Sequence, residues 1–203
     1  MKIPKNFTEF KPIERSFYNR ETVDVARHLV GQLLVRNVNG NLIVARITEV
    51  EAYRGADDPA SHAYRGKRGR AAIMFGEVGI AYVYLSYGIH YCLNVVARSP
   101  DQDAGAVLLR SAEPVIGYEF MKRFHNADKC GILRGPGNLT KSLNIDYRYN
   151  GCDLTSCPDL FISQGWLNEG EKVVESKRVG ISKATERRWR FLIADNCSVS
   201  KKA

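Results

Sequence analysis

No stretch of this sequence is apolar for long enough to cross a bilayer, and its opening, MKIPKNFTEFKP, lacks the apolar core of a secretory leader. A membrane span and an export signal are therefore not expected, which leaves a protein of the cytosol, or of the nucleoid in a bacterium. Internal repeats, low-complexity tracts and Pro/Gly/Ser linkers are missing too, so the 203 residues are expected to form one domain, 1–203. Cysteine is sparse. Cys92, Cys130, Cys152, Cys157 and Cys197 are odd in number and irregularly spaced, which predicts reduced thiols rather than a disulfide framework. Cys152 and Cys157 have no histidine or second cysteine pair at zinc-like spacing nearby, so no metal is expected. Acidic residues are also in short supply: 22 Asp and Glu against 30 Lys and Arg give a formal charge of +8. That imbalance favours a polyanionic partner without identifying one. What remains, 44% hydrophobic and 26% charged residues, is the composition of a soluble globular protein.

The chain reads as strands mixed irregularly with helices, which predicts an α+β fold rather than a doubly wound parallel sheet. ETVDVARHLVGQLLV places Val25, Ala26, Leu29, Val30 and Leu33 on one helical face. After the turn signal NGN at 39–41, LIVARITEVEAY runs as a strand. IAYVYLSYG and IHYCLNVVA read as a hairpin meeting near Gly88. AGAVLLRSAEP predicts a further strand, PVIGYEFMKRFHNA a helix, and RGPGNLTKSLNI a turn feeding a short helix whose start is an ordinary cap or a phosphate site. From LFISQGW onward, β-prone runs alternate with basic loops.

Three clusters could carry chemistry. On a strand, Glu49, Glu51 and Tyr53 project to one side; in isolation, E-x-E-x-Y reads as a solvent-facing edge, and beside a pocket it reads as a carboxylate with an aromatic partner. Asp57, Asp58 and His62 follow in a loop, where the two aspartates read as a solvated turn. In the hairpin, half-buried strands account for Tyr82, Tyr84 and Tyr91. Tyr87 differs, because beside Gly88 at the tip it has little core to fill and could wedge between stacked bases. Arg65, Lys67, Arg68 and Arg70 in YRGKRGR are either a solvated loop or DNA-backbone contacts, and Lys177, Arg178, Lys183, Arg187, Arg188 and Arg190 share that ambiguity.

Taken in order, ARITEVEAYRGADDPASH, MFGEVGIAYVYLSYGIHYCLNVV, GAVLLRSAEP and GPGNLTKSL resemble the alkyladenine family of 3-methyladenine DNA glycosylases, of the mammalian alkyladenine glycosylase type, over about residues 15–195. The resemblance implies one α+β domain on a curved antiparallel sheet flanked by helices, with a protruding hairpin that enters the DNA minor groove. It implies a monomer that needs no cofactor, metal or protein partner and acts on double-stranded DNA containing damaged purines. By the same resemblance Glu51 is the catalytic carboxylate, and Arg110 helps it position the attacking water. Tyr53, His62 and Tyr84 line the pocket for the extruded base, Asn94 crowds the amino group of guanine, and Tyr87 takes the vacated place in the stack.

The residue chemistry is compatible with those roles. Extruding a base costs roughly a few kcal/mol, and aromatic stacking returns about 1–3 kcal/mol per base. A purine alkylated at N3 or N7 is already cationic, so the remaining work is to deliver water and stabilise a cationic sugar. An ionised carboxylate does both. Neutral lesions such as hypoxanthine or ethenoadenine need a donor to the leaving purine, for which the backbone around His62 is the candidate. Two competing readings are a non-catalytic nucleic-acid binder, with stacking tyrosines and surface carboxylates, and a carboxylate-dependent hydrolase of free nucleosides.

Overall fold

The computed structural model describes residues 6–203; the first five residues, on which part of the reading of the opening segment rests, lie outside them. Eight strands and four α-helices are present among the described residues. The strands are β1 (Leu33–Val38), β2 (Asn41–Arg54), β3 (Ala81–Ser86), β4 (His90–Val96), β5 (Gly105–Ile116), β6 (Leu160–Ser163), β7 (Val173–Ser176) and β8 (Arg190–Ile193). The helices are α1 (Arg15–Tyr18), α2 (Thr22–Leu29), α3 (Tyr118–Met121) and α4 (Pro136–Ser142). All pairings are antiparallel. The main path runs β3-β4-β5-β2-β1-β6, with β8 also on β2 and β7 on β8. The fold is thus α+β, a curved antiparallel sheet flanked by helices. Among the described residues no helix is long and apolar enough to cross a membrane.

The helix expected over ETVDVARHLVGQLLV is shorter than its periodicity suggests. Val25, Ala26 and Leu29 are buried as α2 residues, but Gly31 stands at φ +90°, and a Cβ there would lie 2.9 Å from the Trp166 carbonyl oxygen. The chain turns at that glycine, and Leu33 packs as the first residue of β1. Likewise β5 continues through Pro114 to Ile116, so only the four residues of α3 remain of the second expected helix. The NGN signal does form the β1–β2 turn, with Asn39 and Gly40 at φ 50° and 83°.

The centre of the sheet is irregular where it matters. Ile47 pairs with Ala112, Glu49 with Ser111 and Val50 with Leu109. Thr48 is therefore an extra residue on β2 and Arg110 an extra residue on β5. Strict alternation would send Arg110 and Ser111 to opposite faces. A bulge re-aims one of them, and both reach the Glu49 carboxylate: Ser111 Oγ donates to it at 2.8 Å and Arg110 Nε lies 3.4 Å away.

The thiol expectation holds for Cys92, Cys152 and Cys157 and fails for Cys130 and Cys197, which form a disulfide. These two are 67 residues apart; only the folded chain brings the loop after α3 and the segment after β8 together.

Candidate active site

Strand β2 presents Glu49, Glu51 and Tyr53 on one side as expected, yet neither glutamate faces solvent: both are fully buried. Glu51 is held by three groups. The Tyr53 hydroxyl donates to its Oε2 at 2.7 Å, the Val179 backbone N–H donates to Oε1 at 2.7 Å, and Arg110 Nη1 lies 3.4 Å from Oε2. Burial raises the Glu51 pKa, outweighing the opposing pull of Arg110, the Val179 N–H and Tyr53. Burial, with the neighbouring Glu51 charge, also drives the Tyr53 phenol well above its usual value, so Tyr53 stays protonated and donates.

Glu49 behaves oppositely, although burial alone would raise its pKa too. The Arg110 charge, the Ser200 N–H, Arg190 and the Ser200 hydroxyl together overcome burial and lower it. Arg190 reaches it at 2.7 Å. Glu49 is thus an anion surrounded by donors.

Tyr53, Arg110 and Val179, the three partners of Glu51, all line a cavity of about 560 Å³, together with His62, Tyr82, Tyr84 and Asn94. That volume is ample for a purine. His62 Nδ1 lies 2.8 Å from the Tyr82 hydroxyl, and its ring meets Tyr84 edge to face at 4.8 Å between centroids. Burial first, and then the Arg70 charge, lower the His62 pKa, so at neutral pH the imidazole is neutral. Asn94 donates through Nδ2 to the Tyr82 carbonyl at 2.9 Å, fixing its amide against the cavity wall.

Above the cavity, the β3–β4 hairpin ends in Tyr87-Gly88-Ile89, with Ile89 N–H bonded to the Ser86 carbonyl at 3.0 Å. Tyr87 at φ 51° and Gly88 at φ 70° turn the chain. A bulky residue at positive φ is strained, and this one is 86% exposed. Tyr87 lines the mouth of the same cavity.

Of the basic loop, Arg70 lines the cavity with its guanidinium 5.7 Å from the Tyr84 ring centroid. Arg65, Lys67 and Arg68 are exposed beside it, and Arg65 lines a shallow groove with Lys183. The second basic group is divided: Arg178 and Arg190 are buried in ion pairs, while Lys177, Lys183 and Arg188 are exposed. Arg178 corrects another expectation. Its partner is Asp58, which is fully buried rather than solvated and accepts from Arg178 at 2.6 and 2.7 Å. Arg178 also donates to the Ala52 carbonyl at 2.9 Å. This pair ties the segment before Val179 to the loop after β2, which is how the Val179 N–H meets Glu51. Asp57 is exposed, as expected. The start of α4 also has a local explanation: the Gly135 N–H donates to Ser111 Oγ at 3.0 Å.

Among the described residues no cluster of His, Cys, Asp and Glu could hold a metal ion. Of the contributors to the Glu51 environment, Val179 has no signal in the sequence, while Asp58 and Arg178 stand out there only as a solvated turn and a basic loop, with nothing to pair them.

A sequence model described as methylpurine-DNA glycosylase matches residues 16–197. Proteins named "Putative 3-methyladenine DNA glycosylase" are similar over nearly their whole length: one from Clostridium perfringens (strain 13 / Type A) is 42% identical over 93% of this chain and 98% of its own. Others are from Desulfitobacterium hafniense, 42% identical over 95% and 100%, and Carboxydothermus hydrogenoformans, 43% identical over 94% and 99%. These relatives are bacterial, so what the likeness supports is the family rather than its mammalian type. With a match across nine-tenths of its length, the chain belongs to the methylpurine-DNA glycosylase family.

Proposed function

We propose that this protein is a base-excision-repair DNA glycosylase that extrudes alkylated purines from duplex DNA and hydrolyses the N-glycosidic bond with water activated by Glu51. The observation that carries this reading is the position of Glu51, buried at the edge of the aromatic cavity against Tyr53, Arg110 and Val179, the three groups that both bond it and line that cavity.

Each group has a task in that reaction. Tyr87 fills the gap left in the stack and slows the base's return. Tyr53 receives one face of the extruded purine, and His62 with Tyr84 the other. Asn94 stands where the amino group of an unmodified guanine would crowd it. Neutral His62 keeps positive charge away from a purine that alkylation has already made cationic. As the glycosidic bond lengthens, the sugar becomes cationic and the departing base neutral. Glu51 then faces a growing positive charge, stabilises it, and takes the proton of the attacking water, while Arg110 holds that carboxylate in place. For hypoxanthine or ethenoadenine, the His62 backbone N–H, at the start of the turn His62–Arg65, is the donor to the leaving base. Arg65, Lys67, Arg68 and Arg70 meet phosphates beside the cavity mouth. The protein acts as a monomer.

The test is release of free base from duplex DNA methylated to contain 3-methyladenine and 7-methylguanine, with hypoxanthine and ethenoadenine oligonucleotides in parallel. Expected are free methylpurines, abasic sites and intact strands. Absence of released base from every substrate overturns the reading, and a borohydride-trapped protein–DNA adduct overturns attack by water.

A further inference from the structure

The end of the described chain packs behind the cavity, against Glu49, Arg110 and Arg190. The Ser200 N–H donates to Glu49 Oε2 at 2.7 Å and its hydroxyl to Oε1 at 3.0 Å. Arg110 contacts both glutamates at 3.4 Å, while its shortest polar contact is to the Ser200 hydroxyl, 3.2 Å from Nη2. The Lys201 and Lys202 carbonyls accept from Arg190 at 2.7 and 3.2 Å. One guanidinium is therefore shared between two buried carboxylates, and Ser200 decides the sharing: it satisfies Glu49 and steadies the other edge of Arg110. The segment has a covalent anchor three residues earlier, where Cys197 is exposed and bonded to half-buried Cys130, and Arg134 donates to the Cys197 carbonyl.

We propose that the segment Cys197–Lys202 is a working part of the active site, in which Ser200 is a positioning residue that keeps Arg110 on Glu51 and the Cys130–Cys197 bond is a reducible clip holding Ser200 there. This rests on Glu51 being the catalytic carboxylate. A dithiol opens the clip by thiol–disulfide exchange: two electrons and two protons pass to Cys130 and Cys197, leaving two thiols and the reductant as a cyclic disulfide. The freed segment lifts from Glu49, which keeps Arg190 and Ser111 but loses two donors, and its less screened charge then draws Arg110 away from Glu51.

The experiment is single-turnover release of base from methylated duplex, with oxidised and dithiol-treated protein and with Ser200→Ala, Ser200→Thr and Cys197→Ser. Loss of the hydroxyl's hydrogen bonds to two charged groups, Glu49 and Arg110, predicts that Ser200→Ala slows release at least about tenfold. Its affinity for the methylated duplex should be unchanged, the acid limb of its rate profile should move to higher pH because Glu51 has lost part of its countercharge, and Ser200→Thr should recover the rate. Dithiol should slow the wild type reversibly and leave Cys197→Ser, already slow, unaffected. Wild-type rate and pH profile in Ser200→Ala overturn the positioning role, as does a slowed rate with an unmoved acid limb. A wild-type rate indifferent to dithiol, with thiol titration showing the bond reduced, overturns the clip. All these readouts require that the wild type releases base; its failure to do so would instead count against the proposed function.

Discussion

Glu51 differs from neighbouring Glu49 in that its hydrogen-bond partners do not offset its burial. A base must be ionised to act, and its pKa is raised above the ordinary 4.5, so activity is lost as pH falls through that raised value. The acid limb of the single-turnover rate should therefore lie above 4.5; a limb at or below it contradicts the assignment. At the hairpin tip, Tyr87→Ala should weaken retention of lesion DNA by roughly tenfold, the scale of one aromatic stacking contact, as read by titration with a labelled duplex. Equal affinity for both proteins would remove the wedge. Most of the polar residues that line or contact the candidate site were named in sequence. Alternation along TEVEAY set Glu49, Glu51 and Tyr53 on one face, while the four motifs supplied His62, Tyr84, Asn94 and Arg110. Asp58 was misread as solvated because its partner, Arg178, lies 120 residues away, and no local pattern pairs them.

Among the elements, the paired bulges in β2 and β5 and the Asp58–Arg178 tie do the positioning. Asp58→Ala leaves a buried guanidinium unpaired, which should cost about 3–5 kcal/mol in urea denaturation; a loss below about 1 kcal/mol would mean the tie is not structural. Fully buried Arg46 likewise holds Glu171 at 2.6 and 2.7 Å and also pairs with Glu113. The Arg46 hydrogen bond is the main cause that brings the Glu171 pKa down to about 2. Because the folded value lies below the unfolded one, the pair stabilises fully above the ordinary 4.5, and this contribution is lost as pH falls from there toward about 2. Thermal melts should show Arg46→Met losing part of the wild type's acid sensitivity in that window; parallel pH dependences would contradict it. Strand positions were legible because β-branched residues and turn signals mark them. The overlong first helix was not, since Gly31 acts through a contact with the distant Trp166 backbone rather than through periodicity.

At the scale of the molecule, the +8 charge is not spread as the sequence suggests. Arg46, Arg110, Arg178 and Arg190 are consumed in internal pairs, leaving Arg65, Lys67, Arg68 and Arg70 exposed near the cavity mouth. If these meet phosphates, affinity for duplex should fall steeply with salt, and replacing Lys67 and Arg68 by Ala should flatten that slope by about one to two. A slope unchanged by the double substitution would return the loop to solvent. The fold class was legible because strands and helices alternate irregularly along the chain; the disulfide was not, because the two cysteines meet only once the segment after β8 has crossed to the loop after α3. The most direct test of the account is Glu51→Gln assayed on methylated duplex for both binding and base release. Expected is near wild-type affinity with release lowered by at least about a thousandfold, the scale that follows when a general base that also stabilises charge is removed. Near-normal release by Glu51→Gln would contradict it.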